Sequence, residues 1–198
     1  MNKNYRVNKI LLLVMAAFFT SLAQAHSVQG GGFIDGLAHP VFGTDHLLAM
    51  VAVGILSVQI GGRAIWLVPA AFVTVMLIGG IWGIYQLPFF EGSVEIGIAA
   101  SVLLLGIALA FDKKLPIVLS MLFVGFFAVF HGYAHGQEMP GLAEAYKYTA
   151  GFVISTILLH ITGVIIGEVA CRIRNGEPLL RYLGAGFAGV GFAILFGI

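Results

Sequence analysis

Charge is what this sequence has least of. Only 10% of its 198 residues are Asp, Glu, Lys or Arg, against ~25% in an ordinary soluble domain. The net charge is +1, which gives no electrostatic footprint for a nucleic-acid partner. A single cysteine, Cys171, excludes an internal disulfide and any multi-cysteine zinc site. No Gly-x-x-x-x-Gly-Lys-[Ser/Thr] loop occurs, so the chain carries no P-loop nucleotide site. Strict polar/apolar alternation of the membrane-barrel kind is also missing.

What fills the space is apolar. Hydrophobic residues make up 60% of the chain, and the mean hydropathy is +1.01. The first 25 residues have the build of a secretory signal peptide. Lys3, Arg6 and Lys9 give a basic start, Ile10 to Phe19 is a short apolar stretch, and Ala23-Gln24-Ala25 supplies a small-x-small cleavage pattern. Residues 26–198 then read as a six-helix transmembrane domain. The expected spans are Pro40–Ile60, Ala64–Gln86, Gly92–Phe111, Leu115–His135, Ala145–Ala170 and Leu180–Ile198, each near the ~20 residues a bilayer crossing requires. The predicted fold class is an all-α integral membrane protein, a six-helix bundle after a cleaved signal peptide.

Loop charges give an orientation. With the mature amino terminus outside, the inner side carries Arg63, Lys113, Lys114, Arg172, Arg174 and Arg181, and the outer loops only Lys147. That asymmetry obeys the positive-inside rule and puts both mature termini outside the cytoplasm. Glycine is abundant at 27 residues. The Gly79-x-x-x-Gly83 and Gly163-x-x-x-Gly167 spacings suit close helix packing in lipid.

The chemistry lies in six histidines gathered into four short stretches. His39-Pro40 opens the first, which runs on through Asp45, His46 and Met50. Pro40 suits the first position of a helix, and on one helix His39 and His46, seven residues apart, would share a face with Met50 one turn on. Asp45 would face a neighbouring helix, either as a ligand or holding a histidine in one tautomer. An ionised aspartate in a span costs at least ~2.5 kcal/mol and needs a partner. The second stretch sets His131, His135 and Glu138 at i, i+4 and i+7. Pro140 disfavours helix at Met139, so that stripe should end there. His160 stands alone in the fifth span, on a stripe of mostly small and polar residues: Thr149, Val153, Thr156, Gly163 and Gly167. Such a stripe faces other helices. After cleavage, His26 would add an imidazole and a free α-amine. The orientation puts His26, His39, His131, His135 and Glu138 at the outer face, with His46 and His160 deeper. Neutral imidazoles mixed with carboxylate suit nickel, cobalt, zinc or copper(II).

These stretches resemble the motifs of the HupE/UreJ family of hydrogenase- and urease-accessory membrane proteins. His39 to His46 is similar to that family's His-Pro-x-x-Gly-x-Asp-His motif, and His131 to Glu138 to its His-Gly-x-Ala-His-Gly-x-Glu motif. The resemblance covers nearly the whole mature chain. It implies a permease of the bacterial cytoplasmic membrane that imports nickel, or in some members cobalt, for metalloenzyme assembly. A more distant likeness is to nickel/cobalt transporters with a His-x-x-x-x-Asp-His motif, but here five residues separate His39 from Asp45.

The expectations that follow are these. No cofactor is held tightly; Ni2+ or Co2+ is the substrate, and a soluble metallochaperone inside would receive it. A divalent cation entering a negative interior gains ~4.6 kcal/mol per 100 mV, enough for accumulation of about a thousandfold. Binding needs neutral imidazole, so uptake should weaken as pH falls through ~6.5. Two other readings use the same residues. One is a membrane-embedded metal-dependent hydrolase. The other is a haem-binding electron carrier with His131 and His160 as axial ligands.

Overall fold

A chain this apolar must satisfy its backbone hydrogen bonds within each segment, and helices do so. The computed structural model describes residues 32–89, 92–138 and 141–198, with the backbone alone described at 138 and 141–144. Every regular element among them is a helix: α1 (Phe33–Phe42), α2 (Thr44–Ile60), α3 (Ala64–Ile84), α4 (Val94–Phe111), α5 (Ile117–Glu138), α6 (Gly141–Arg172) and α7 (Gly176–Phe196). Helices α3 to α7 are each long and apolar enough to cross a membrane. Helices α1 and α2 together make a sixth apolar stretch of that length, bent by 79°. The result is an all-α membrane bundle. The expected signal peptide, residues 1–25, lies outside the described residues.

The first span departs from the single helix expected over Pro40–Ile60. Pro40 is buried inside α1, not at a helix entrance. The chain leaves the helix at Gly43, whose backbone is extended (φ −76°, ψ 110°), and restarts at Thr44. Two local causes combine. Glycine pays ~1 kcal/mol to stay helical. The Asp45 carboxylate accepts the His46 backbone N–H at 2.7 Å, satisfying a donor that a helix start leaves orphaned. The break also moves His39 and His46 onto different helices, so the shared face expected of them does not exist.

Helix α2 is the axis of the bundle. Its residues from His46 to Val58 are all buried, and it touches each of the other six described helices. The partners reach it because glycines let backbones close in. A side chain at Gly54 of α2 would run into the His160 carbonyl and the Gly163 backbone of α6. A side chain at Gly132 of α5 would strike the Met76 carbonyl of α3, and one at Gly79 or Gly83 the carbonyls of Val129 or Tyr133. The two glycine spacings read from the sequence therefore lie at packed helix crossings. Large apolar side chains such as Trp66, Ile81, Leu122, Phe126, Ile165 and Tyr182 remain on the outside of the bundle, where a bilayer would cover them.

The two ends of the bundle differ. Asp45 and His46 lie in the first turn of α2. At the far end of the helix, Gln59 donates its amide to the Leu109 carbonyl of α4 at 3.2 Å. Nearby, Arg181 donates to the Ala110 carbonyl at 2.9 Å. Arg172 pairs with Glu168 at 3.0 Å. The histidine end and the arginine end thus sit at opposite ends of one buried helix.

Candidate metal centre

Asp45 organises the site from the start of α2. Its Oδ1 takes the His46 backbone N–H and also lies 2.6 Å from His46 Nδ1. A carboxylate can only accept there, so Nδ1 carries the proton and His46 offers its other nitrogen, Nε2, as a lone pair. The positive end of α2 favours the negative charge at this place. The neighbouring-helix position expected for Asp45 is therefore corrected: its carboxylate meets His46, the next residue of its own helix.

Three helices deliver the ligands. His39 from α1, His46 from α2 and His135 from α5 place one nitrogen each within 4.8 Å of one another. His46 and His135 are buried and His39 is half-buried, so His39 forms the mouth of the cluster. The His39 ring stands edge-on to His135 and His46, with centroids 4.5 and 5.5 Å away. His135 Nε2 lies 2.6 Å from His46 Nε2. With the His46 nitrogen bare, His135 donates. One ion bonded to both nitrogens at ~2.0–2.1 Å each would hold them ~3 Å apart, so loading requires the pair to part slightly and the shared proton to leave. Phe152 walls the cluster, its ring 4.1 Å from that of His135. The Tyr148 hydroxyl approaches His135 Nδ1 at 3.5 Å, too long for a strong bond.

His131 sits one turn below His135 on α5, fully buried, with its ring 4.8 Å from that of His46. The expected order of depth is therefore corrected. His46 belongs to the entrance cluster, and His131 lies beneath it, because the bend at Gly43 carries the start of α2 up to the end of α5. His160 is deeper again along α2. Its Nδ1 donates to the Met50 carbonyl at 2.8 Å, leaving Nε2 buried with no hydrogen-bond partner among the described residues. His131 and His160 both pack against the ring of Phe72, at 5.7 and 5.2 Å. The stripe expected around His160 does face inward, with Thr156, His160, Gly163 and Gly167 buried. Glu138 is the last described residue of α5, and its side chain, like Met139, Pro140 and the whole of His26, lies outside the described residues.

Sequence reasoning missed Ser101, whose Oγ lies 2.9 Å from His131 Nε2, and the apolar walls Phe72 and Phe152. A hydroxyl in the middle of the apolar α4 was the available signal for Ser101. The two rings carried none, since aromatics are common throughout the chain. Met50 fell on the expected ligand stripe, but the group it contributes is its carbonyl; its side chain is part of the apolar core.

Comparison with known proteins gives the family. The family model described as HupE / UreJ protein matches residues 12–194. The Protein HupE of Rhizobium leguminosarum bv. viciae is 41% identical over 196 residues, covering 97% of this chain and 100% of that protein. No solved structure matches. The alignment spans the histidine cluster, the helix that fixes its tautomer and the glycine crossings that seat it, and the chain belongs to the HupE/UreJ family.

Proposed function

We propose that the protein is a permease importing a divalent first-row metal ion, nickel first and cobalt next, across the bacterial cytoplasmic membrane for metalloenzyme maturation. The observation that carries this reading is the convergence of His39, His46 and His135 from three helices at the head of α2, which is buried from His46 to Val58. Imidazole donors suit these ions. The half-buried His39 captures the ion, with His26 and Glu138 as further outer ligands. His46 and His135 bind it, and His131 and His160 receive it on the way to the arginine-rich end. That end faces the cytoplasm in the orientation the loop charges give, with both mature termini outside and a soluble metallochaperone as recipient. The inward-negative potential drives entry.

The test is uptake of radiolabelled nickel and cobalt into vesicles by the wild type, His46→Ala and His131→Ala. Wild type should accumulate nickel, and each variant should lose at least tenfold of the rate while still inserting. Uptake should also fall as the medium is acidified at constant membrane potential, because protons compete for the imidazoles. Undiminished uptake in both variants would sink the assignment.

A further inference from the structure

His131 has two ring nitrogens, and the structure determines which one bears the proton. Ser101 Oγ lies 2.6 Å from the Ile98 carbonyl one turn back on α4 and 2.9 Å from His131 Nε2. A carbonyl can only accept, so the single hydroxyl proton of Ser101 goes to Ile98. The hydroxyl oxygen is then an acceptor toward His131, whose Nε2 must donate. The opposite tautomer would set two lone pairs face to face at Ser101 or make the hydroxyl give up the Ile98 carbonyl. It would also leave a protonated Nδ1 with no acceptor, since that atom is buried without a hydrogen-bond partner among the described residues. Both Ser101 and His131 are fully buried, so water does not relax this choice.

We propose that Ser101 is a positioning residue of the permeation path, locking His131 in the Nε2–H tautomer so that the bare Nδ1 is the electron pair it offers a passing cation. Ser101 never touches the ion. Its role parallels that of Asp45 at His46, with a neutral hydroxyl on a neighbouring helix in place of a carboxylate. The Met50 carbonyl does the same for His160. Three histidines of the path are thus each held by a fixed acceptor on the far nitrogen, a common way to orient imidazole ligands. The inference rests on the permease reading for its function, and on geometry alone for the tautomer.

Two measurements separate those layers. In the full-length, metal-free protein labelled with 15N-histidine in lipid nanodiscs, the His131 resonances, assigned by their loss in His131→Gln, should show protonated Nε2 and bare Nδ1. Ser101→Ala should mix or reverse the tautomers, and Ser101→Thr should keep the wild-type pattern. In vesicles, Ser101→Ala should lower nickel uptake about tenfold, in line with outer-sphere partners of metal-binding histidines, and Ser101→Thr should stay within twofold of wild type. A protonated Nδ1 in the wild type, or a tautomer unchanged in Ser101→Ala, overturns the proposal. So does a threonine variant as poor as the alanine variant despite a wild-type tautomer. Absence of nickel uptake by the wild type defeats the permease reading and leaves the tautomer result standing.

Discussion

His39, His46 and His135 face one another, whereas His131 and His160 each end in a nitrogen with no hydrogen-bond partner among the described residues. In the upper group the nitrogens share a proton, His135 to His46 at 2.6 Å. In the lower group one nitrogen is anchored, to Ser101 or to Met50, and the other is left bare. A histidine that only glued helices would be satisfied at both ends, because an unmade buried hydrogen bond costs ~1–3 kcal/mol. Two such costs, on histidines that both pack against the Phe72 ring, favour a passage. The upper group can bind by losing a proton, and the lower group can accept an ion with no proton to lose. On the permease reading, capture and transit call for different arrangements of the same side chain.

The comparison breaks hardest at His46. Removing its ring takes a nitrogen from the cluster and the hydrogen-bond partner from the Asp45 carboxylate, and a hydrogen bond to a charged group contributes ~1.5–3 kcal/mol. His46→Gln keeps a hydrogen-bond donor near Asp45 but offers no imidazole. It should fold, run as a single species on size exclusion and lose nickel uptake by about 100-fold or more. Asp45→Asn comes next. It keeps the shape but turns a pure acceptor into a group that can present N–H to His46, so the tautomer is no longer enforced. Outer-sphere changes of this kind cost ~10–100-fold in metal affinity. The half-saturating nickel concentration should rise by that factor, with the maximal rate less affected. An unchanged half-saturation would mean that Asp45 serves the start of α2 alone.

His160 tests the lower group. If it serves transit, His160→Ala should lower the maximal rate about tenfold, equal to ~1.4 kcal/mol on the barrier. Half-saturation should stay near the wild-type value, since the entrance cluster is intact. The reverse pattern, a raised half-saturation at full rate, would merge the two groups into one binding site and end the distinction drawn above.

Much of this was legible in the sequence, for physical reasons that also mark where it stopped. Apolar length exposes membrane helices because lipid leaves no alternative for the backbone, and Gly163-x-x-x-Gly167 exposed a crossing because only small residues admit one. The break at Gly43 was hidden by spacing. Seven residues return to the same face of an unbroken helix, so His39 and His46 looked like neighbours on one stripe. They are neighbours through a 79° bend instead. The right pair was found for the wrong reason. Ser101 and His131 are thirty positions apart, and nothing in the local pattern of either reveals the other. The His131 tautomer is set by an acceptor that lies across a helix gap, and that is known only once α4 and α5 are packed.

The smallest expected effect concerns Met50. It lies one turn beyond His46 on α2, where its thioether would be a candidate soft ligand. In the structure the Met50 side chain is fully buried within the apolar core, and its contribution to the path is the backbone carbonyl that receives the His160 N–H. A backbone group is untouched by side-chain replacement. Met50→Leu nearly conserves volume, and such swaps usually cost under ~1.5 kcal/mol of stability. Nickel uptake by Met50→Leu should therefore stay within twofold of wild type in both rate and half-saturation. A tenfold loss in a variant that still inserts would put the sulfur back on the route.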